Sequence, residues 1–357
     1  MSDMKGLILS GGKGTRLRPL TFTNAKQLIP IVNKPILFYG IESIVAAGIQ
    51  DIGIVIGETG EEVKAAAGDG SRFGCKITYI PQEEPLGLAH AVLISEEFLG
   101  DSRFVMYLGD NVIKDGINDL VREFDRVKPN SQILLAHVAN PSQFGVAELA
   151  GDCVVRLEEK PRVPKSDLAL VGVYMFDSNI MTAVKAIKPS WRGELEITDA
   201  ILWLIENGFK VVPHIIKGWW KDTGKLEDLL EANRIMLDAV ERNVAGDVDA
   251  DSKIEGKVVV EEGAKIIRSH VRGPAIIGTK AEIRCSYIGP FTAVGPGVEV
   301  RNSEVEHSIL LKDCKVLDIG ARMQDSLIGH EACVSRTEGL PRVHRFMLGD
   351  RSEVSIL

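Results

Sequence analysis

The sequence predicts an α/β protein in two parts: an open sheet of mainly parallel strands covered by helices, followed by a triangular parallel β-helix. Three observations carry that reading. Short apolar runs alternate with longer helix-like segments from Met4 to about Val240, a polar Asp-rich stretch from Glu241 to Ser252 interrupts them, and beyond it apolar residues recur every 17 positions. Buried runs separated by helices imply parallel strands covered on both faces. A fixed period of that length implies a solenoid.

In order along the chain, the runs Gly6 to Leu9, Ile52 to Ile56, Ile77 to Ile80 and Phe104 to Leu108 read as strands, and Pro35 to Gly48 and Leu88 to Leu99 as helices. Ligands of such sheets bind beyond the carboxyl ends of the strands, so the turn beginning at Ser10 and the turn after Leu108 are candidate site loops. The expected organisation is a catalytic domain over 1–240, a linker over 241–253, a β-helix over 254–335 and a cap or tail over 336–357. In the β-helix one inward row is Val260, Ile277, Val294, Leu311 and Ile328, and a second is Ile266, Ile283, Val300, Leu317 and Val334. The third row, Val271, Ile288 and Val305, fails at Arg322, so the last coil is expected to be irregular.

Composition excludes several classes. With 357 residues, 42 Lys+Arg against 50 Asp+Glu, 45% hydrophobic and 26% charged residues, the chain is globular and long enough for more than one domain. No apolar stretch approaches the roughly 20 residues of a spanning helix, so the expected location is the cytoplasm, without membrane contact. The formal charge of -8 and the lack of a long basic run argue against nucleic acid as a partner. The 5 cysteines are scattered and form no C-x-x-C pair, which points to reduced thiols and away from zinc.

Several blocks carry chemistry. Ser10-Gly11-Gly12-Lys13-Gly14-Thr15-Arg16-Leu17-Arg18 brings backbone N–H groups and three cations to one turn, either a phosphate cradle or a tight strand–helix turn. It matches neither the dinucleotide fingerprint nor the P-loop. Lys26 precedes an apolar stretch, and alone reads as a solvated surface charge. Asp110 follows a strand and Asp222 lies in Trp220-Lys221-Asp222; two carboxylates converging on one ion is how magnesium is held, although either could be a turn residue. Gln82 follows another strand, and its amide suits the N3–H and O4 of thymine or uracil equally. Gly87 could admit a base edge to the backbone. Glu159-Lys160 pairs an acceptor for sugar hydroxyls with a cation for a sugar phosphate, or forms an exposed charge cluster. The histidines, His90, His137 and His214 among them, show no metal-like spacing and receive no catalytic role.

Taken together, the blocks Gly11 to Thr21, Lys26 to Pro30, Pro85 to Ala91, Leu108 to Asn111, Glu159 to Pro161, Gly193 to Asp199 and Trp220 to Gly224, with the β-helix behind them, resemble the sugar nucleotidyltransferases, in particular the long-form glucose-1-phosphate thymidylyltransferases. The resemblance spans nearly the whole chain. It implies a Rossmann-like nucleotidyltransferase domain with a mixed, mainly parallel sheet, a left-handed parallel β-helix behind it, and conversion of dTTP and glucose 1-phosphate into dTDP-glucose and pyrophosphate with Mg2+, the first step of dTDP-deoxysugar biosynthesis. It further implies that Gly11, Gly14 and Thr15 touch the nucleotide, Arg16 the leaving pyrophosphate and Lys26 the α-phosphate region. Gln82 and Gly87 would read the base, and Asp110 and Asp222 would hold the metal. Gly145, Glu159, Lys160 and Val171 would line the sugar-phosphate pocket, with Asn111 and Tyr174 beside them. Arg16, Lys26 and Lys160 would be the catalytic cations. Two departures stand out, Ser10 where the family often has Ala and Ala25 where it usually has Pro. Ala25 is expected to loosen the loop presenting Lys26.

The competing reading is a UTP-using uridylyltransferase whose β-helix is an acyltransferase, as in bifunctional relatives. With about five coils, the β-helix is expected instead to serve assembly into a homo-oligomer. A third reading, a nucleotide sensor without turnover, is disfavoured by Arg16, Lys26, Asp110 and Asp222 occurring together.

Overall fold

The computed structural model describes residues 4–12, 14–22, 25–336 and 344–355. Lys13 of the glycine turn and positions 337–343 and 356–357 of the expected cap lie outside them. The chain divides into two compact units. One takes in Met1–Lys13, Asn24–Leu28 and Ile36–Asp222, the other Gly14–Thr23, Ile29–Pro35 and Thr223–Leu357.

The first unit is built on a nine-stranded mixed sheet. Lys5–Ser10 pairs in parallel with Asp51–Ile56 on one side and Phe104–Leu108 on the other, and Lys76–Pro81 extends the parallel set. Leu168–Phe176 then runs antiparallel to Phe104–Leu108, followed by Ser131–His137 antiparallel to it and Val211–Ile215 parallel to that. Gly145–Ala150 and Cys153–Glu159 close one edge as an antiparallel pair. Alternation along Lys5–Ser10 sends Leu7 and Leu9 into one core layer and Ile8 into the other. Helix Ile36–Ala46 covers the Ile8 layer with Leu37, Ile41 and Ile44, residues three and four apart. Helices Leu88–Ile94, Asn179–Ala186 and Ile197–Glu206 cover the Leu7 layer. The single helix expected over Leu88 to Leu99 is broken at Ser95, whose hydroxyl donates to the Ala91 carbonyl at 2.7 Å and competes with the helical ladder.

In the second unit three parallel sheets wind as a triangular prism, the architecture of a left-handed parallel β-helix. The stretch 241–253, expected as a linker, belongs to its first coil: Asn243–Val244, Asp247–Val248 and Lys253–Glu255 pair with Val258–Val260, Lys265–Ile267 and His270–Arg272. The rows begin as expected, Val260 over Ile277 over Val294 and Ile266 over Ile283 over Val300. Then they slip by one residue. Val294 stacks on Leu310 and Val300 on Val316, so Leu311 and Leu317 are not the inward members of those rows. The compensating residue enters one coil later, where Leu310 stacks on Ile328 and Val316 on Val334. The third row does not fail at Arg322: Met323 takes the place below Val305. Arg322 turns outward to Glu304 and Glu306 and lies over the Tyr287 ring, 5.0 Å from its centroid. A slip of one residue inside a strand would reverse every side chain, so insertions and deletions are absorbed at corners. One corner carries a serine ladder. Ser252, Ser269, Ser286 and Ser303 each accept at Oγ from a backbone N–H one coil on, at 2.9, 3.1, 3.2 and 3.0 Å.

This unit also contains the hairpin Pro30–Ile31/Lys34–Pro35, whose turn residues Val32 and Asn33 have φ of 51° and 59°. Asn233 of helix Leu226–Leu237 accepts from the Val32 N–H at 3.0 Å, and Asn33 Nδ2 donates to the Val294 carbonyl at 2.8 Å. The hairpin is thereby tied to that helix and to the solenoid wall.

Candidate active site

At the carboxyl ends of the parallel strands the first unit presents Ser10-Gly11-Gly12, Gln82 and Gly109-Asp110. Lys26 starts the short turn Lys26–Leu28, is only 8% exposed, and pairs its ammonium with the Asp110 carboxylate. Burial pushes the Asp110 carboxyl up, but the Lys26 charge and hydrogen bonds from Lys26 and Asn111 outweigh it and hold the group below the usual carboxylate range. The lysine that reads as a surface charge in sequence is thus a buried, paired cation. Its loop is tied: the Ala25 N–H donates to Glu62 Oε2 at 2.5 Å. This corrects the expected loosening, because a proline has no N–H to give that carboxylate.

Asn111 is buried, with both ends of its amide engaged. Its Nδ2 donates to Asp110 Oδ1 at 2.9 Å, and its Oδ1 accepts from Trp220 Nε1 at 2.6 Å. Strand Trp220–Asp222 runs antiparallel to Asn111–Ile113 with Asp222 directly across from Asn111, so the two aspartates expected to hold metal sit on neighbouring backbone positions. Ser10 Oγ and Gln27 Oε1 are buried without a partner at the same strand ends. Buried polar atoms of this kind call for water or ligand.

At another strand end, Gln82 Oε1 lies over Gly11, 3.1 Å from where a Cβ would stand. Gly87 has φ 107° and a Cβ there would meet the Leu195 carbonyl oxygen at 2.4 Å, so only glycine fits. Gly145 and Glu159, expected at the sugar phosphate, are cross-strand partners, and a Cβ on Gly145 would stand 3.0 Å from Glu159 Oε2 and 2.7 Å from Thr198 Cγ2. Burial and the neighbouring Glu196 raise the Glu159 carboxyl above its ordinary value against the pull of Lys160 and Arg192. Lys160 is exposed, with its ammonium 3.9 Å from Glu159 Oε1 and its backbone N–H donating to Phe144 at 3.0 Å.

Val171 and Tyr174 sit deeper than expected for pocket walls. The Val171 side chain is fully buried in the core, leaving its backbone as the group that could face a ligand. That backbone lies where the register of Leu168–Phe176 against Ser131–His137 shifts between Leu170 and Tyr174, an irregularity of the kind that frees main-chain groups near sites. The Tyr174 ring stacks on Phe176, and burial followed by the Glu159 charge keeps its phenol protonated.

Sequence reasoning missed two residues. Arg192 reaches Glu194 at 2.8 Å, Glu196 at 3.2 Å and Glu159 at 3.8 Å, and so links three carboxylates. His90 lies beside Gln82, with Nδ1 2.9 Å from Nε2. Arginine in Arg192-Gly193-Glu194 and histidine in Leu88-Ala89-His90 were visible, but no spacing rule links them to residues 33 and 8 positions away.

Gly14, Thr15 and Arg16 belong to the second unit. Gly14, with φ 60°, opens the turn Thr15–Leu17, and its carbonyl accepts from Thr21 Oγ1 at 2.8 Å. Thr15 and Arg16 are exposed, and Arg351 donates to the Thr15 carbonyl at 2.9 Å.

A family model for nucleotidyl transferases matches residues 5–239. Over 355 residues the chain is 56% identical to glucose-1-phosphate thymidylyltransferase of Streptomyces antibioticus, covering 99% of both chains. The enzyme of the same name from Streptomyces griseus is 52% identical over 354 residues, again with 99% of both covered. A solved structure from Bacillus anthracis, named as a glucose-1-phosphate thymidylyltransferase and holding sucrose, is 38% identical with a TM-score of 0.62, covering 65% of this chain and 94% of that one. On the family match and the full-length likeness together, the chain belongs to the nucleotidyl transferases and, within them, to the glucose-1-phosphate thymidylyltransferases.

Proposed function

We propose that the protein transfers a deoxythymidylyl group from dTTP to glucose 1-phosphate, forming dTDP-glucose and pyrophosphate with magnesium, in the cytoplasm and as a homo-oligomer. The observation that carries the chemistry is the buried Lys26–Asp110 pair at the strand ends, with Asp222 on the neighbouring strand. The names of the full-length relatives support the choice of substrates. All five cysteines are free thiols, which suits a reducing compartment.

In this reading a glucose 1-phosphate oxygen attacks the α-phosphorus of dTTP in line. The new O–P bond forms as the bond to the β-phosphate oxygen breaks, and its electron pair leaves on pyrophosphate. The attacking oxygen is already anionic, so no protein nucleophile or base is needed. Catalysis is positioning and charge neutralisation. Lys26 neutralises charge at the α-phosphate and Arg16 on the leaving pyrophosphate, with Gly11, Gly14 and Thr15 contacting the nucleotide. Gln82 and Gly87 read the base. Lys160 takes the sugar phosphate and Glu159 the hydroxyls, Gly145 and the Val171 backbone border the pocket, and the buried Asn111 and Tyr174 support it from behind.

The donor set fits magnesium. Asp110 is held ionised, Asp222 stands one strand away, and two carboxylates leave coordination positions for water and phosphate oxygens. The described residues offer no cluster of three or more His, Cys, Asp or Glu able to hold a metal, so substrate oxygens would complete the shell. When bound, the ion supplies positive charge against the triphosphate oxygens.

The test is pyrophosphate release with magnesium over dTTP, UTP, CTP, ATP and GTP against glucose, galactose and N-acetylglucosamine 1-phosphates. A maximum at dTTP with glucose 1-phosphate is expected. A maximum at UTP with the N-acetyl sugar, joined by thiol release from acetyl-CoA, would replace this reading by the bifunctional one. A monomer by light scattering would overturn the assembly role of the β-helix.

A further inference from the structure

Gln82 Nε2 lies 2.9 Å from His90 Nδ1 and 3.4 Å from the Gly87 carbonyl oxygen. A carbonyl only accepts, so the amide must turn its NH2 toward Gly87. His90 Nδ1, facing the same NH2, is then the acceptor, and the ring proton sits on Nε2. With both amide hydrogens committed, Oε1 is left over Gly11 at the first strand end. The amide therefore presents an acceptor to whatever binds there.

We infer that His90 is a positioning residue that locks the Gln82 amide oxygen toward the nucleotide base and thereby selects a pyrimidine with N3–H over cytosine. The inference rests on Gln82 being the base reader. Thymine and uracil carry a hydrogen on N3 that Oε1 can accept. Cytosine carries a bare N3, and Oε1 would face it lone pair to lone pair, an uncompensated polar contact of the kind that gives strong discrimination. The Gly87 carbonyl alone, at 3.4 Å, is a long and weak tether for the amide. Without the His90 acceptor the amide can rotate, present NH2, and accept cytosine.

The experiment compares kcat/KM for dTTP, dUTP and CTP with glucose 1-phosphate in the parent enzyme, His90→Leu, His90→Gln and Gln82→Ala, with melting curves for each. His90→Leu removes the acceptor and is expected to lower the dTTP to CTP ratio about tenfold, mainly through KM, since one oriented hydrogen bond is at stake. The dTTP to dUTP ratio stays put, because both bases carry N3–H. His90→Gln, which keeps an oxygen acceptor, restores the ratio. Should His90→Leu fail to fold, His90→Met removes the ring acceptor with a longer, adaptable side chain. Equal losses for dTTP and CTP, or no recovery in His90→Gln, would overturn the inference and leave His90 a packing residue. An unchanged ratio in Gln82→Ala would instead overturn the base-reading role itself, whereas a ratio that falls in Gln82→Ala but holds in His90→Leu sinks only the part given to His90.

Discussion

The β-helix and the sheet unit solve the burial problem in different ways. In the β-helix each inward aliphatic touches its counterpart one coil away, as Ile266, Ile283 and Val300 do, so the rule is local and repeats. In the sheet unit the decisive contacts join residues far apart, Lys26 with Asp110 across 84 positions and Asn111 with Trp220 across 109. A periodic unit announces its architecture in sequence, whereas a site assembled from strand ends announces only its parts. The periodic unit nevertheless hides its register errors, because a one-residue slip leaves two adjacent aliphatics as equal candidates.

The largest expected effect tests that register. Val316 is fully buried while Leu317 is not, so Val316→Asp should lower stability by at least ~4 kcal/mol, and Leu317→Asp should stay within about 1 kcal/mol. Thermal or urea unfolding of both variants checks it, and equal losses would restore the unbroken period of 17. In the sheet unit, Asp110→Asn should lower kcat on the order of 10²–10³, about 3–4 kcal/mol of barrier. Near-parental turnover over a magnesium titration would count against Asp110 as a ligand of the proposed metal and leave its pairing with Lys26 a structural contact.

The smallest effect is a pH slope. The folded-state value of Glu159 is raised, chiefly by burial and then by Glu196, so its charged form is penalised in the native protein. That penalty is absent below the ordinary glutamate range, grows as pH rises through it, and levels off above the raised value. Glu159→Gln removes the penalty, so its stability relative to the parent should climb with pH across that window, while KM for glucose 1-phosphate rises because one accepting oxygen becomes an NH2 donor. Parallel unfolding curves at every pH from 4 to 8 would show that Glu159 carries no such strain.

Much of the fold is legible in the sequence. The parallel strands at Ile52 to Ile56, Ile77 to Ile80 and Phe104 to Leu108 follow from buried apolar runs, and the solenoid from its period. The antiparallel half of the sheet was not marked by any period of its own, since Leu168–Phe176 is buried on both faces and reads like any other apolar run. The strands inside the expected linker, Asn243–Val244 and Asp247–Val248, leave no mark in sequence because they are short and polar, with few apolar residues. Arg192 and His90 escaped because an arginine among glutamates and a histidine on a short helix carry no signal until their neighbours are known.

Sequence by itself determined the class of each unit and the chemical types gathered at the strand ends, because periodicity and residue identity are properties of the chain alone. Tertiary structure decided which of those groups are buried and paired. It turned Lys26 from a surface charge into a buried partner of Asp110, tied Ala25 to Glu62, and moved the inward rows to Leu310 and Val316. Desolvation and hydrogen-bond geometry depend on distances between residues remote in sequence, and only the folded chain sets those distances.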